Sequence, residues 1–412
     1  MDSALSDVIP ERVRRGAHAL HPYFGKVNPA LARAIISSYS DVGSLVMDPF
    51  CGSGTVLTEA LLARRNAVGW DSSKLATSIS VTKHLGLSQQ EKELLECLCQ
   101  ELLIYADNGP LLSIRVPNVG APPPMRRIQN VKSWFGENAL IELAFLRQKL
   151  QIGASKDLTA LDMMKQIAFS RIIVSASNQQ GESNYRRVAK QDSPGRVISL
   201  FISSVRHVVR CLQEFDVSRI RSGIGGERSV CSRQTKTRVQ WQDITLSVYK
   251  TDTRAPQLDA LTPKADLVVT SPPYLMSWDY GLYHKFRFYW LDIDLDGYED
   301  TEIGRHLRRQ NDDVPKYSED MMSALGSISS AMNSGGHLAL INAPAVVYGK
   351  LVDTNEILQQ VGERAGMRFL SCQPSIAIPG PHHGMYASLD SRSASAPGES
   401  GKQEHVILFQ KP

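Results

Sequence analysis

The sequence predicts an α/β fold: a mostly parallel sheet closed by an antiparallel hairpin, with a helical insertion between its two halves. Three observations predict it. Leu45–Met47 and Ala67–Trp70 are short apolar runs on either side of a helical stretch, Thr55–Arg65, and such βαβ units build parallel sheets. Strand-like runs return after residue 226 in "TRVQWQDIT", "ADLVVTSPPY" and "GGHLALINAP". Between these halves, from Val131 to Arg221, the apolar spacing is mostly helical.

The elements follow in order. Residues 1–35 are basic and end in the helical pattern "NPALARAIISSYS". Gly52-Ser53-Gly54 makes a tight turn between the first strand and its helix, and the second strand ends at Asp71. Residues 74–106 read as helix, and "PNVGAPPPMRRIQN" reads as a linker. "ALIELAFLRQKL" and "RVISLFISSVRHVVRCLQEF" carry the helical insertion, and "SGIGGERS" links it back to the sheet. "TRVQWQDIT" reads as a strand ending at Asp243. "YHKFRFYWLDI" reads as a helix with Phe286, Tyr289 and Trp290 in the core. "DTNEILQQVGERAG" is a capped helix, and "FLSCQPSIAI" pairs with "EHVILFQ" in the closing hairpin, across a Gly/Ser-rich loop. The units expected are residues 1–110, the basic helical insertion 111–225, and residues 226–412.

Composition narrows the class. At 412 residues, 42% hydrophobic and 21% charged, the chain reads as a globular protein of two core-forming units or one domain with an insertion. No run of about 18 apolar residues predicts a membrane span, and the first residues lack the apolar core of a secretory leader, so a cytoplasmic protein is expected. The six cysteines lack paired zinc-ligand spacing, and His382-His383 has no acidic partners nearby, so reduced thiols and no metal are expected. The net charge of +4 is compatible with nucleic acid. Residues 120–222 hold sixteen basic side chains against eight acids, more than the net excess of the whole chain.

Two loops carry the chemistry. In open α/β sheets, ligands sit at the carboxyl ends of strands. The first loop, "DPFCGSGT", has glycines that let a ligand approach the backbone, a helix N-terminus behind it, and no phosphate-binding lysine. Asp48 at its mouth repels phosphate and suits a cation, and Asp71 at the next strand end suits the two hydroxyls of a ribose. S-adenosylmethionine has an ammonium, a sulfonium and an adenosine, and no phosphate. The second loop, "TSPPY", stops a strand with two prolines. A rigid corner there suits a flat base carrying an amine. Tyr274 would stack on the ring, while the Ser271 hydroxyl and the Pro272 carbonyl accept the amine hydrogens and free the nitrogen lone pair for attack. The base must leave its stack to reach such a corner.

The sequence resembles the amino-methyltransferases of DNA, specifically the cytosine-N4 group with the SPPY motif. The resemblance covers roughly residues 18–85 and 236–412 and is weaker over 120–222. It implies a Rossmann-like class I methyltransferase fold and S-adenosyl-L-methionine (AdoMet) as cofactor. The implied cofactor residues are His21, Tyr23 and Lys26 in "HPYFGK", then Asp48, Pro49, Phe50, Cys51, Gly52, Ser53, Gly54 and Thr55, then Asp71 with Ser72, and Asp243 near the adenine amine. The implied catalytic residues are Ser271, Pro272, Pro273 and Tyr274. Many SPPY enzymes place the catalytic motif before the AdoMet loop; here it follows.

The activity expected is methylation of cytosine N4 in double-stranded DNA by base flipping, in a restriction-modification setting with a cognate endonuclease. An adenine-amino DNA methyltransferase, or an RNA base methyltransferase with the same motifs, is the nearest alternative. A catalytically silent, methylase-like DNA-binding subunit is the alternative of another class. A cytosine-C5 mechanism would need a nucleophilic cysteine after proline, which the chain lacks. In the insertion, Arg186, Arg187 and Lys190 beside "NQQGESNY" are the expected DNA contacts.

Overall fold

A nine-stranded sheet organises the chain in this computed structural model, which describes residues 16–107, 128, 130–153, 157–182, 184–233, 235–257, 263–276, 279–305, 313–375 and 404–412. Most of the Pro-rich linker, the His382-His383 pair and the Gly/Ser-rich loop lie outside the described residues.

After a 3-10 turn at Gly16–Ala19 come α1 (Pro29–Tyr39), β1 (Leu45–Asp48), α2 (Thr55–Leu62), β2 (Asn66–Asp71), α3 (Lys74–Lys83) and α4 (Gln89–Asp107). The helical stretch holds α5 (Val131–Trp134), α6 (Glu137–Lys149) and α7 (Ala160–Ala176), a small hairpin of β3 (Gln179–Gly181) and β4 (Asn184–Arg187), and α8 (Arg196–Arg221). The chain returns to the sheet with β5 (Arg228–Arg233), β6 (Lys236–Trp241), β7 (Ile244–Lys250) and β8 (Ala265–Thr270). Then follow α9 (Tyr280–Trp290), α10 (Leu295–Glu299), α11 (Asp313–Ser330) and β9 (Met332–Asn342). A second hairpin, β10 (Ala345–Val347) and β11 (Lys350–Val352), precedes α12 (Thr354–Arg364), β12 (Arg368–Pro374) and β13 (His405–Gln410).

The sheet order is β12-β13-β9-β8-β1-β2-β7-β6-β5. Strands β7, β2, β1, β8 and β9 are parallel; β13 and β6 run against them at the two sides. The chain builds outward from β1 through β2 to β7, then crosses back to β8 and β9 on the other side. This is the doubly wound, Rossmann-like arrangement, with its switch point between β1 and β8. The expected closing hairpin is β12 with β13. One expectation is corrected: "TRVQWQDIT" is not one strand ending at Asp243. It is β6, a tight turn at Gln242-Asp243 and the start of β7, because Gln242 adopts a positive φ and Trp241 pairs with Ile244.

Local signals explain the helix starts. Asn28 accepts the N–H groups of Ala30 and Leu31 ahead of Pro29, and Thr159 and Asp162 form a reciprocal capping box on α7. Glu142 accepts the N–H groups of Gly195, Val197 and Ile198, so α6 caps α8. One face of the sheet shares a continuous apolar core with α1–α4 and with α6–α9. The other face packs on α11 and α12. The helical stretch therefore thickens one layer of the sheet rather than hanging from it. Among the described residues, no helix is long and apolar enough to cross a membrane.

Candidate active site

Register brings the ends of β1, β2 and β8 to one edge: Asp48 pairs with Gly69 of β2, and Val46 and Met47 pair with Leu267 and Val268 of β8. The glycine loop turns there. Gly52 has φ +49 and Gly54 φ +75, and a Cβ on Gly54 would lie 2.4 Å from Ser80 Oγ, so only glycine fits without displacing α3. The loop is pinned to the neighbouring strand ends. Gly52 N–H donates to Asp71 Oδ2 at 2.9 Å, and Ser73 N–H donates to Asp71 Oδ1 at 2.8 Å. Thr270 Oγ1 donates to Asp48 Oδ1 at 2.6 Å, and Thr253 Oγ1 donates to the Pro49 carbonyl at 2.5 Å. Burial pushes the Asp48 carboxyl up to about 7 and that of Asp71 up to about 6.

A cavity of about 190 Å³ opens at this edge, and it joins the two loops. One side is formed by Tyr23, Lys26, Phe50, Gly52, Asp71 and Ser72; the other is formed by Ser271, Pro272, Pro273 and Tyr274. In the corner, Ser271 Oγ lies 3.2 Å from the Tyr274 hydroxyl, which reaches the Ile341 carbonyl of β9 at 3.3 Å and Glu404 Oε1 at 3.1 Å. Tyr23 is held by a stack of aromatic rings, 5.8 Å from Tyr280 and 5.5 Å from His284 between centroids.

Several expected residues stand elsewhere. Asp243 sits in the β6–β7 turn at the opposite end of the sheet, two-thirds exposed and facing Arg64 at 3.7 Å. It is removed from the candidate site, because the strand it was thought to end only begins there. The carboxylate at the carboxyl end of β7 is Asp252, which does line the cavity. His21 does not line it either. Its Nδ1 is 2.7 Å from the Pro22 carbonyl and its Nε2 2.9 Å from Ser170 Oγ, and burial holds it neutral, so its ring braces α7. Asp48, Pro49, Cys51, Ser53, Gly54 and Thr55 lie behind the cavity wall and shape the loop rather than face the space. Lys190 of the expected DNA contacts donates to the Val174 carbonyl at 2.9 Å and is turned inward. Arg186 and Arg187 are exposed on β4, Arg187 lying 6.0 Å over the Trp134 ring.

Tyr280, which with Asp279 follows the SPPY corner in sequence and could be expected to wall a base pocket, does line the cavity, whereas sequence reasoning missed Asp252, Tyr298, Glu302 and Glu404 in the same wall. Asp252 had a readable signal, an acid directly after "SVYKT" at a strand end. Glu302 had none. It is buried, accepts the Tyr280 N–H at 2.6 Å, and burial beside Asp279 pushes its carboxyl up to about 8. Its Oε2 is buried and lies 3.5 Å from Arg305 Nε.

Comparisons with known proteins bear on the same region. The DNA methylase family (N6/N4 type) matches residues 5–81, which hold the glycine loop and Asp71. Type II methyltransferase M.MjaII of Methanocaldococcus jannaschii is 35% identical over 78 residues, 19% of this chain and 15% of that one. Type II methyltransferase M.MvaI of Kocuria varians is 25% identical over 299 residues, 70% of this chain and 60% of that one. The chain thus spans less than two-thirds of the length of either relative. Among solved structures, TrmN of Thermus thermophilus (TM-score 0.32, 10% identity, 94% of this chain and 50% of that one) and the rRNA methyltransferase aviRa of Streptomyces viridochromogenes (0.33, 12%, 99% and 93%) are similar. The fold assignment rests on the strand order itself. Through the match at residues 5–81 the chain is similar to the amino-methyltransferases of DNA, and its cofactor is S-adenosyl-L-methionine.

Proposed function

We propose that the chain is an AdoMet-dependent DNA methyltransferase that methylates the exocyclic N4 amine of cytosine. The observation that carries this reading is one cavity with the Gly52–Asp71 side and the Ser271–Tyr274 side facing each other. Bound AdoMet supplies an electrophilic methyl group on a sulfonium. Asp71 accepts the ribose hydroxyls, while the turn at Gly52 lets the ligand pass close to the backbone. Asp252, in the place first given to Asp243 and paired with Arg254 at 2.6 Å, would be the acid nearest the adenosine. Lys26 and Tyr23 flank the methionine end.

On the other side Ser271 and the Pro272 carbonyl accept the amine hydrogens, so the nitrogen lone pair turns out of the ring toward the methyl carbon. The prolines hold these acceptors fixed, so little reorganisation is needed at the moment of transfer. Tyr274, tied by its hydroxyl to β9, presents its ring to the base. The cavity lies at a strand edge that a base inside a duplex does not reach, so the base flips out. Arg186 and Arg187 supply phosphate contacts from the β3–β4 hairpin. The type II relatives favour a cognate endonuclease as biological partner. The deciding experiment is mass spectrometry of nucleosides from plasmid DNA incubated with the protein and methyl-labelled AdoMet. N4-methylcytosine is expected. N6-methyladenine would move the substrate to adenine, and no labelled nucleoside from a folded, AdoMet-binding protein would refute the enzyme.

A further inference from the structure

The hairpin after β9 does not look like a solvent-facing turn. Its inner residues, Ala345 and Val347, are buried in the core between the sheet and α11. Its outer face should then be polar, because strand residues alternate between faces. Instead Val346 and Leu351 stand directly opposite each other on that face, 40% and 73% exposed. Between them Val347 pairs with Lys350, so Tyr348-Gly349 is a two-residue loop with φ +49 and +78. Asn, Asp or Gly normally fills the first place in such a turn, and a tyrosine there is strained. Its ring is 56% exposed, and its hydroxyl is tied to Asp313 Oδ2 at 2.5 Å at the start of α11. The tie holds the ring beside the start of α11, so the ring enters a base stack only when this hydrogen bond is released.

The place of this hairpin matters as much as its composition. It leaves the carboxyl edge of the sheet, where the cavity opens. Ile341, whose carbonyl meets the Tyr274 hydroxyl, is only four residues before Ala345. The apolar tip follows β9 and the Ser271–Tyr274 corner follows β8, the parallel strand paired beside it.

We propose that the β10–β11 hairpin is the wedge that opens the duplex: Tyr348, with Val346 and Leu351, enters the stack beside the target base and holds the gap it leaves. This rests on the proposed DNA-methylating function. Apolar side chains pushed between base steps unstack them and kink the duplex. Exposed Lys350 adds a cation suited to the adjacent phosphates. A second copy of the chain fits less well as occupant, since a stable interface buries about 800 Å² per partner and three part-exposed side chains offer a few hundred at most.

The test compares Tyr348→Ala and the double variant Val346→Ser/Leu351→Ser with the parent. Methyl transfer is measured on relaxed plasmid DNA and on the same DNA heat-denatured and kept single-stranded. Circular dichroism melting establishes that each variant folds. The wedge reading expects transfer to duplex to fall about tenfold or more, with AdoMet affinity and duplex affinity within about threefold of the parent, and a smaller deficit on single strands. Duplex transfer within about twofold of the parent in both variants would overturn it, as would an equal loss on both DNA forms. A parent dimer that these variants split, with duplex transfer unchanged, would also overturn it and assign the face to a second copy. A parent that binds AdoMet but methylates neither DNA form would sink the proposed function instead.

Discussion

Replacing Asp71 by alanine tests the cofactor half of the site most directly. Each Asp71 oxygen already takes one backbone N–H, from Gly52 at 2.9 Å and Ser73 at 2.8 Å. A carboxylate has about four lone-pair positions, so capacity remains for two ribose hydroxyls. Losing a hydrogen bond to a charged group costs about 1.5–3 kcal/mol, which is roughly 10- to 150-fold in AdoMet dissociation constant. The same change leaves the Gly52 and Ser73 N–H groups without their acceptor, so the melting temperature should fall as well. Asparagine would not rescue binding, because its amide presents one acceptor and one donor where two acceptors are needed. Titration calorimetry measures the affinity. An alanine variant that folds and binds AdoMet within about twofold of the parent removes Asp71 from the cofactor site. The pH dependence has two signs. The binding form is the carboxylate, so affinity falls as pH drops through about 6. In the ligand-free protein the same raised pKa means the native state holds the proton more tightly than the unfolded chain. Its stabilising contribution is therefore full below the unfolded value of 3.8 and is lost as pH rises through about 6.

The other predictions address separate parts of the molecule. Ser271→Ala and Tyr274→Phe should each lower methyl transfer with AdoMet affinity close to the parent's; loss of cofactor binding in a folded variant would show that the two sides of the cavity are not separate. Arg186→Ala with Arg187→Ala should flatten the log–log salt dependence of duplex affinity by about two units, at roughly 0.9 per phosphate contact; an unchanged slope leaves β4 as solvated surface. Glu302, raised to about 8 from 4.5, should cost the ligand-free protein stability as pH rises from about 4.5 through 8, and Glu302→Gln should flatten that part of a denaturation-versus-pH curve; an unchanged curve would mean that Glu302 titrates normally.

What could be read from the sequence depended on whether the signal was local. The βαβ start was legible because its strands are short apolar runs and its turn needs glycine at positive φ. The corner at Ser271–Tyr274 was legible as a strand stop because neither proline can continue a ladder, and it pointed to a base only in company with the glycine loop. Asp243 was misplaced because "TRVQWQDITLSVYK" alternates across both β6 and β7, and the reversal between them rests on a positive φ at Gln242, which glutamine does not advertise. His21 was credited with the cofactor because "HPYFGK" as a whole resembles the family's N-terminal motif, of which Tyr23 and Lys26 do line the cavity. Its own ring turns toward Ser170, 149 residues away, a contact no local pattern encodes. Lys190 was counted among surface charges for the same reason, since its partner carbonyl belongs to the C-terminal turn of α7. Glu302 and Glu404 reach the site only through tertiary packing.

The acids around the cavity explain why the edge suits a cation rather than a nucleotide phosphate. Asp48 and Asp71 are buried at adjacent strand ends, and the Coulombic effect of Asp71 helps raise Asp48. Glu302 lines the same cavity and is raised further, by burial and by Asp279. Desolvation opposes the charge of these carboxyls and holds them near neutrality of pH, even at Glu302, where Arg305 Nε stands 3.5 Å from Oε2 and pulls the other way. A phosphate entering here would meet the same desolvation with added repulsion. A ligand carrying positive charge reverses the balance, since it stabilises the ionised acids where water cannot. The single lysine in the wall, Lys26, directs its ammonium to the carbonyls of His18 and His21 at 2.8 and 3.0 Å. The electrostatics of the strand ends thus favour a positively charged ligand over a phosphate, before any particular contact to it is counted.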